Sequence, residues 1–170
     1  MKVKMTITLV LTLTLINIGC RQAKETKVET EVVVDIVKDD FPESQQEIKQ
    51  VLDGIFQSFK DKDADKLIAY HVYGPKFTEF RNDGPRFGSV GNEEYERGFV
   101  GAIEDWDSNL NDLKIDVFGE VAVVTFEADF RPTMQAEVVQ IWANVTLVFV
   151  KTNGEWKITH EHFTQFEKKA

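Results

Sequence analysis

The residues best suited to proton transfer lie together near the end of the chain. His160 and His162 are two of the three histidines, and the stretch that holds them has the composition of a strand. Imidazole is the side chain that gains or loses a proton near neutral pH. Because side chains alternate along a strand, both rings are expected on one face of a sheet. The pair predicts either a pocket site with His160 as general base or two half-buried histidines in a hydrogen-bond network.

The same two histidines do not predict a metal site. Zinc takes three or four protein ligands, and a His-x-His pair supplies two. His71 is the remaining histidine, and the sole cysteine, Cys20, lies far away near the N-terminus. We therefore expect no metal and no other cofactor.

The turn before this strand decides which face the histidines occupy. A three-residue loop at Asn153-Gly154 pairs Lys151 with Glu155, and it places both histidines beside Thr146 and Asn144. Opposite charges directly across a strand pair are favourable, so we prefer this register.

A two-residue turn at the same place shifts the pairing by one position. In that register Thr159, Glu161 and Phe163 face the pocket instead of the histidines. The sequence leaves both registers open.

The long strand expected at about 136–151 has two unlike faces. One face is mixed, and we expect Trp142, Asn144 and Thr146 to line a ligand pocket together with His162. The other face is wholly apolar, which predicts a sheet covered on both sides. We expect this second face to form the outer surface of the sheet and to hold a homodimer together. Its residues are Val139, Ile141, Val145, Leu147 and Phe149.

Helices are expected ahead of the sheet. Ser44 with Glu47 three residues later has the pattern of a capping box and predicts the start of the first helix. Asp63 is expected to cap a short second helix. Asn92 is expected to cap the third.

A stripe of large side chains in the third helical segment completes the predicted pocket. Spacings of four, four and three residues place the stripe on one helical face. Core packing explains such a stripe, and in a cone-shaped fold it also lines the pocket, so we include Tyr95 and Trp106 among the candidate ligand-binding residues. The stripe consists of Tyr95, Phe99, Ile103 and Trp106.

Helices followed by a long antiparallel sheet make an α+β arrangement. Residues 61–67, 119–124, 146–151 and 154–164 resemble the SnoaL-like branch of the NTF2-like superfamily, most specifically in the last stretch. The resemblance covers about 44–166 and implies a cone in which three N-terminal helices pack on a curved antiparallel sheet that encloses a pocket. Proteins of that branch are often dimeric, and they include isomerases, dehydratases, hydrolases and members that only bind or assemble.

The ketosteroid isomerases of the same superfamily suggest one more catalytic residue. Their base follows a short strand before a Pro-Arg turn, and the matching position before Pro85-Arg86 is Glu79. Their two oxyanion donors correspond to Phe56 and Thr146. A phenylalanine donates no hydrogen bond, so the resemblance does not extend to steroid isomerisation.

The N-terminus has the pattern of an export signal. Lys2 and Lys4 precede a short apolar run, which is typical of a secretory signal rather than a membrane span. Cys20 directly follows Ile18-Gly19, and this resembles the lipobox of bacterial lipoproteins. The resemblance implies a signal peptide at 1–19, a lipid on Cys20, a flexible acidic tether at 20–43 and a folded domain at 44–170. The alternatives are an ordinary cleaved signal and an uncleaved anchor. The protein is then expected on the bacterial cell envelope, either in the periplasm or at the outer membrane or cell surface.

Charge narrows the choice of partner. The formal net charge is -9, and no cluster of Lys and Arg is present. Binding to nucleic acid needs such clusters to neutralise phosphates, so nucleic acid is excluded. We expect the domain to bind a small, partly apolar molecule. The alternative is an isomerase-, dehydratase- or hydrolase-type enzyme that uses Glu79 or a pocket histidine as base.

Overall fold

The computed structural model describes residues 34–168, and in that range an α+β domain is formed as expected. The helices and strands alternate only at the start, and every strand after the third helix belongs to one continuous run. In order they are α1 (Pro42–Asp61), α2 (Ala64–Ile68), β1 (Thr78–Arg81), α3 (Ser89–Ala102), β2 (Asp105–Phe118), β3 (Val121–Met134), β4 (Glu137–Val138), β5 (Ile141–Thr152) and β6 (Glu155–Gln165). The predicted signal peptide, Cys20 and most of the predicted tether lie outside the described residues.

The strands of the described region form one six-stranded sheet in the order β1-β6-β5-β3-β2, with β4 paired to β3. β1 runs parallel to β6, and the other pairs are antiparallel. The sheet does not close on itself, and register shifts interrupt both the β2–β3 and the β5–β6 pairing. Such bulges bend and twist a strand. They help to give the sheet the curvature that lets helices pack inside it.

The first helix starts earlier than the capping-box prediction placed it. α1 begins at Pro42, where a proline fits because the first helical N–H groups have no partner in the helix. Ser44 therefore lies inside the helix and is not its cap. Glu47 instead accepts hydrogen bonds from Lys151 Nζ at 2.6 Å and Trp156 Nε1 at 2.8 Å, so it ties α1 to the β5–β6 hairpin.

The predicted third helix is shifted in the same direction. α3 begins at Ser89 with Gly88 as its N-cap, so Asn92 is one turn inside the helix and fully buried. The helix ends at Ala102, and Trp106 belongs to β2. By contrast, Asp63 caps α2 as expected, because its Oδ1 accepts a hydrogen bond from Lys66 N at 2.9 Å.

The turn between β5 and β6 is the two-residue form, and the preferred register was wrong. Thr152 pairs with Glu155, and both turn residues have positive φ, 52° at Asn153 and 81° at Gly154. An Asn-Gly pair accepts these angles readily, and the resulting turn matches the twist of a hairpin. Local turn chemistry therefore outweighs the ion pair that we had expected between Lys151 and Glu155.

A bulge then changes the face of everything beyond it. Phe149 pairs with Ile158, whereas the preceding Val148 pairs with His160, so Thr159 is the extra residue. Side chains before and after the bulge therefore follow different parities. Ile158 is buried inside the sheet, and His160 lies on its other side.

These pairings define an inner face under the helices and an outer face opposite to it. The wholly apolar face of β5 is the inner one, because Val145, Leu147 and Phe149 belong to the core cluster that includes α1. The prediction that this face holds a dimer together was wrong. Burying so much apolar surface inside the domain is more favourable than leaving it for a partner. Val139 stands apart, since it precedes β5 and is exposed.

Candidate functional site

A cavity lies between the helices and the inner face of the sheet. Its volume is about 140 Å³, close to that of engineered cavities of about 150 Å³ that hold benzene. Aromatic and aliphatic side chains make most of the wall, and charged groups gather in one part of it. The aromatic members are Phe56, Phe59, Tyr95, Phe99, Trp106, Phe126, Phe130 and Phe163.

Three of the predicted ligand-binding residues, Tyr95, Trp106 and His162, border the cavity, and the first two belong to its aromatic wall. Trp106 stacks on Phe59 with ring centroids 4.6 Å apart and meets Phe99 edge-on at 6.0 Å. Tyr95 stacks on Phe99 at 6.1 Å, and the guanidinium of Arg81 lies 3.2 Å from its ring centroid. The aromatic side chains therefore pack against one another around the cavity.

Three other predicted lining residues face away from the cavity. Trp142, Asn144 and Thr146 alternate with the buried residues of β5 and thus lie on the outer face. Lys168 Nζ covers the Trp142 ring at 3.8 Å from its centroid, and Asn144 is exposed. The prediction that they line the pocket is wrong, because the mixed face of β5 is the outer one.

The two strand histidines share a face, but that face is the outer one. His160 Nδ1 lies 2.8 Å from Thr78 Oγ1, and its ring meets Phe80 with centroids 6.2 Å apart. His162 borders the cavity, while its ring contacts the same Phe80 at 6.0 Å and its Nε2 lies 3.1 Å from Thr164 Oγ1. His160 is therefore not placed to act as a base on a molecule in the cavity.

Glu79 does border the cavity, and its carboxylate is fully engaged. Arg81 Nε donates to Oε1 at 2.7 Å and Nη2 to Oε2 at 2.6 Å. Asn92 Nδ2 donates to Oε2 at 3.0 Å. A bidentate guanidinium stabilises the carboxylate form and occupies both oxygens. Its role as a general base stays a prediction.

The polar part of the cavity centres on the third histidine. His71 follows α2, pairs with Ile158 of β6, and is buried. Its Nδ1 lies 3.2 Å from the carbonyl oxygen of Leu67. Its Nε2 lies 3.2 Å from Glu161 Oε1 and 4.0 Å from Glu96 Oε1. We call His71, Glu96 and Glu161 the His-Glu-Glu cluster.

Asn92 links this cluster to Glu79. Its Nδ2 donates to Glu161 Oε2 at 2.8 Å as well as to Glu79, and its Oδ1 accepts from the Tyr73 hydroxyl. Asn92 and Glu96 are four residues apart on α3, so they lie on the same face of that helix. One buried amide thus fixes two carboxylates that come from different strands.

The environment of the cluster changes its protonation. Burial lowers the pKa of His71, but the hydrogen bond to Glu161 and the charges of Glu161 and Glu96 outweigh it and raise the pKa to about 9. Burial and then the charge of Glu161 raise the pKa of Glu96 to about 8. Burial acts to raise the pKa of Glu161, yet the hydrogen bond from His71 and its charge hold that pKa below its usual value. At neutral pH an imidazolium–carboxylate pair therefore lies beside a neutral carboxylic acid.

Two polar atoms of the cavity residues have no hydrogen-bond partner in the protein. Among residues 34–168, Glu96 Oε2 and Trp106 Nε1 are the buried side-chain atoms of this kind. Both residues line the cavity. Most buried polar atoms in proteins are paired, so each exception calls for an explanation.

The cluster was missed because its members are distant in sequence. His71 and Glu161 are 90 positions apart, and a single sequence does not reveal such a contact. One signal was present for Glu161, since the two-residue turn register placed it and Phe163 toward the pocket. For Glu96 the signal was its position directly after Tyr95 and one turn after Asn92.

Comparison with known proteins agrees with the fold. A family model described as SnoaL-like domain matches residues 48–166. A proposed NTF2-like dehydratase from Streptomyces avermitilis superposes with a TM-score of 0.67 at 16% identity, covering 75% of this chain and 99% of that chain. An NTF2-like superfamily protein from Salmonella enterica superposes with a TM-score of 0.66 at 19% identity, covering 76% of this chain and 95% of that chain. A proposed scytalone dehydratase from Novosphingobium aromaticivorans superposes with a TM-score of 0.65 at 12% identity, covering 74% of this chain and 86% of that chain.

At these identities the structural likeness shows the fold alone. No curated protein sequence matches the chain. Within the described residues no helix is long and apolar enough to cross a membrane.

Proposed function

The chain belongs to the SnoaL-like domain family, and from this premise we propose that its cavity binds a small, partly apolar ligand. Members of the family have the same cone-shaped fold but different activities, so the residues that line the cavity have to indicate the function. The observation that carries the proposal is the pair of unpartnered atoms, Glu96 Oε2 and Trp106 Nε1.

These two atoms define what the ligand should offer. An indole N–H only donates, so it calls for an acceptor on the ligand, and a carboxyl oxygen calls for a second polar contact. The wall around them is aromatic and aliphatic, which suits an apolar body. A single ring that carries one oxygen matches both the size and the polarity of the site.

The test compares phenol with toluene, two probes of nearly equal size that differ in their polar atom. We expect phenol to bind more tightly in calorimetric titration of the full-length protein in detergent. Trp106→Phe removes the donor and should weaken phenol about 5- to 10-fold, the effect of one hydrogen bond, while toluene binding is unchanged. Trp142→Phe makes the same chemical change on the outer face and should leave both probes unaffected.

The comparison has clear contrary outcomes. Equal loss of phenol and toluene in the Trp106 variant would mean that the cavity changed shape and that the N–H is not the contact. No binding of either probe to the wild type would contradict the proposal. Native mass spectrometry of protein from its natural source would then show whether another small molecule is retained.

We further propose that the domain is held at the cell envelope by a lipid on Cys20. The support is the charged and apolar start of the chain and its resemblance to a lipobox. Cys20→Ser should release the protein from the membrane fraction. If the variant still sediments with membranes, the anchor lies elsewhere.

The outer face of the sheet is proposed as the contact of a homodimer. Phe80 is 39% exposed, and Thr146 and Val148, on the far side of β6 from it, are half-buried. Val148→Asp should give a monomer in analytical ultracentrifugation, whereas Val90→Asp, on an exposed part of α3, should remain dimeric. A wild-type protein that is monomeric at high concentration contradicts this proposal.

A second candidate function is an isomerase-, dehydratase- or hydrolase-type enzyme. The specific observation in its favour is that an imidazole and two carboxyl groups converge on an apolar cavity. If a substrate is found, Glu96→Gln should abolish turnover and leave folding intact. Glu79→Gln tests the base that the sequence suggested. Unchanged turnover in both variants would remove this candidate.

A further inference from the structure

We propose that the His-Glu-Glu cluster binds one divalent transition-metal ion, such as zinc or manganese, at the charged end of the cavity. The ligands would be His71 Nε2 and one oxygen each of Glu96 and Glu161. This inference goes beyond ligand binding and does not depend on it, because the ion can be measured without any organic ligand.

The three donor atoms already lie nearly as close to one another as the ligands of a single metal ion. Nε2 is 3.2 Å from Glu161 Oε1 and 4.0 Å from Glu96 Oε1, and the three donor atoms all lie within 4.8 Å of one another. Ligands about 2.0–2.2 Å from one ion lie about 3.4 Å apart in a tetrahedral site and at most about 4.4 Å apart. Side-chain shifts of less than about 1 Å are therefore enough to form the site.

The imidazole is oriented as in metal-binding histidines. The carbonyl oxygen of Leu67 only accepts, so the Nδ1 that lies 3.2 Å from it must carry a hydrogen. That leaves Nε2 directed at the two carboxyl groups. Metal-bound histidines commonly give their other N–H to a backbone carbonyl in this way, which fixes the ring and its tautomer.

The carboxylate of Glu161 is held by a partner behind it. Asn92 Nδ2 donates to Oε2 at 2.8 Å, and this leaves Oε1 facing His71. Asn92 is itself fixed by the Tyr73 hydroxyl. Such outer contacts orient metal ligands and are part of most metal sites.

Glu96 provides an observation beyond the spacing of the donor atoms. Its Oε2 is buried and has no partner in the protein. The nearby guanidinium of Arg81 is already bound through two hydrogen bonds to Glu79, so Glu96 and Glu161 share His71 as their neighbouring basic residue. One divalent ion would replace the proton that Glu96 carries at neutral pH and the second imidazole proton of His71, so the charge of the cluster would stay balanced while the ion contacts both carboxyl groups.

The set of ligands indicates the kind of ion. One imidazole and two carboxylates, without thiolate, suit zinc, manganese or ferrous ions better than soft metals. All three residues line the cavity, so a fourth position on the ion opens toward it. Three protein ligands with an open position are typical of metal sites that take part in binding or chemistry.

The experiment is metal binding to full-length protein in detergent after chelator treatment. Equilibrium dialysis against ZnCl₂ and, separately, MnCl₂ gives the stoichiometry by mass spectrometry of the metal and the affinity by calorimetry. We compare the wild type with Glu96→Gln, which keeps the shape of the side chain and removes its charge. The matched control is His160→Gln, which removes a histidine of the outer face that does not border the cavity.

We expect one ion per chain in the wild type and in the His160 variant, and at least about 10-fold weaker binding in the Glu96 variant. His71→Gln should weaken binding similarly, and circular dichroism checks that each variant is folded. No bound ion, or binding lost in the His160 variant and kept in the Glu96 variant, would overturn the proposal. If His71→Gln does not fold, the Glu96 variant decides alone.

Discussion

The two faces of β5 differ clearly in their access to water. On the inner face Val145, Leu147 and Phe149 are nearly inaccessible to water, and on the outer face Thr146 and Val148 are half-buried. The alternation of one strand thus separates a packed interior from a surface that a partner or solvent can reach. Whether a residue of β5 reaches the interior or the outer surface depends on its place in this alternation, and its role depends on that place as much as on its type.

The charged and titratable residues of β6 are divided between the two faces in the same way. His160 and His162 look like the chemical residues of this strand, yet they lie on the outer face beside threonines and Phe80. The residue between them, Glu161, faces inward and meets His71. Burial acts to raise the pKa of Glu161, while the hydrogen bond from His71 and its charge hold that pKa below its usual value, and groups with shifted pKa values concentrate at functional sites.

The largest expected effect comes from truncating the centre of the inner face. Phe149→Ala should lower the free energy of unfolding by about 3–5 kcal/mol, because it removes a fully buried ring and leaves a cavity. Val148→Ala, one residue away on the outer face, should cost less than about 1 kcal/mol. Equilibrium unfolding in urea measures both. Similar losses in the two variants would contradict the assignment of the faces.

The fold could be predicted because its signals are local. The Asp63 cap and the turn at Asn153-Gly154 both agree with the same α+β cone. The faces were harder, because a wholly apolar strand face fits both a core and an interface.

The candidate site depended on two features that leave little trace in a single sequence. The bulge at Thr159 reverses the parity of β6 without a glycine or proline to mark it. The contact of His71 with Glu161 joins positions 90 residues apart. The bulge and this long-range contact both result from tertiary packing, because the helices pack on one face of the sheet and the register of β6 fits that packing.

A medium effect is expected from Asn92, the buried amide between the carboxylates. Asn92→Ala should cost about 2–3 kcal/mol, because Glu79 and Glu161 each lose a donor and Tyr73 loses its acceptor. Asn144→Ala on the exposed outer face should change the free energy of unfolding by less than about 0.5 kcal/mol. Urea unfolding of both variants tests this. If Asn92→Ala lowered the free energy of unfolding by less than about 1 kcal/mol, water would take the place of the amide.

The smallest and sharpest comparison exchanges two residues of nearly equal shape across the faces. Val145→Thr places a hydroxyl against the buried inner wall, where we expect a cost of about 1–2 kcal/mol because the group loses water without gaining a partner. Thr146→Val makes the reverse change on the outer face and should stay within about 0.5 kcal/mol, since both residues favour strands. Volume and strand preference are nearly matched in the pair, so any difference in their unfolding free energies reports burial. If Thr146→Val proved as costly as Val145→Thr, the hydroxyl of Thr146 would have a buried partner, and the outer face would already be covered in solution by a second molecule.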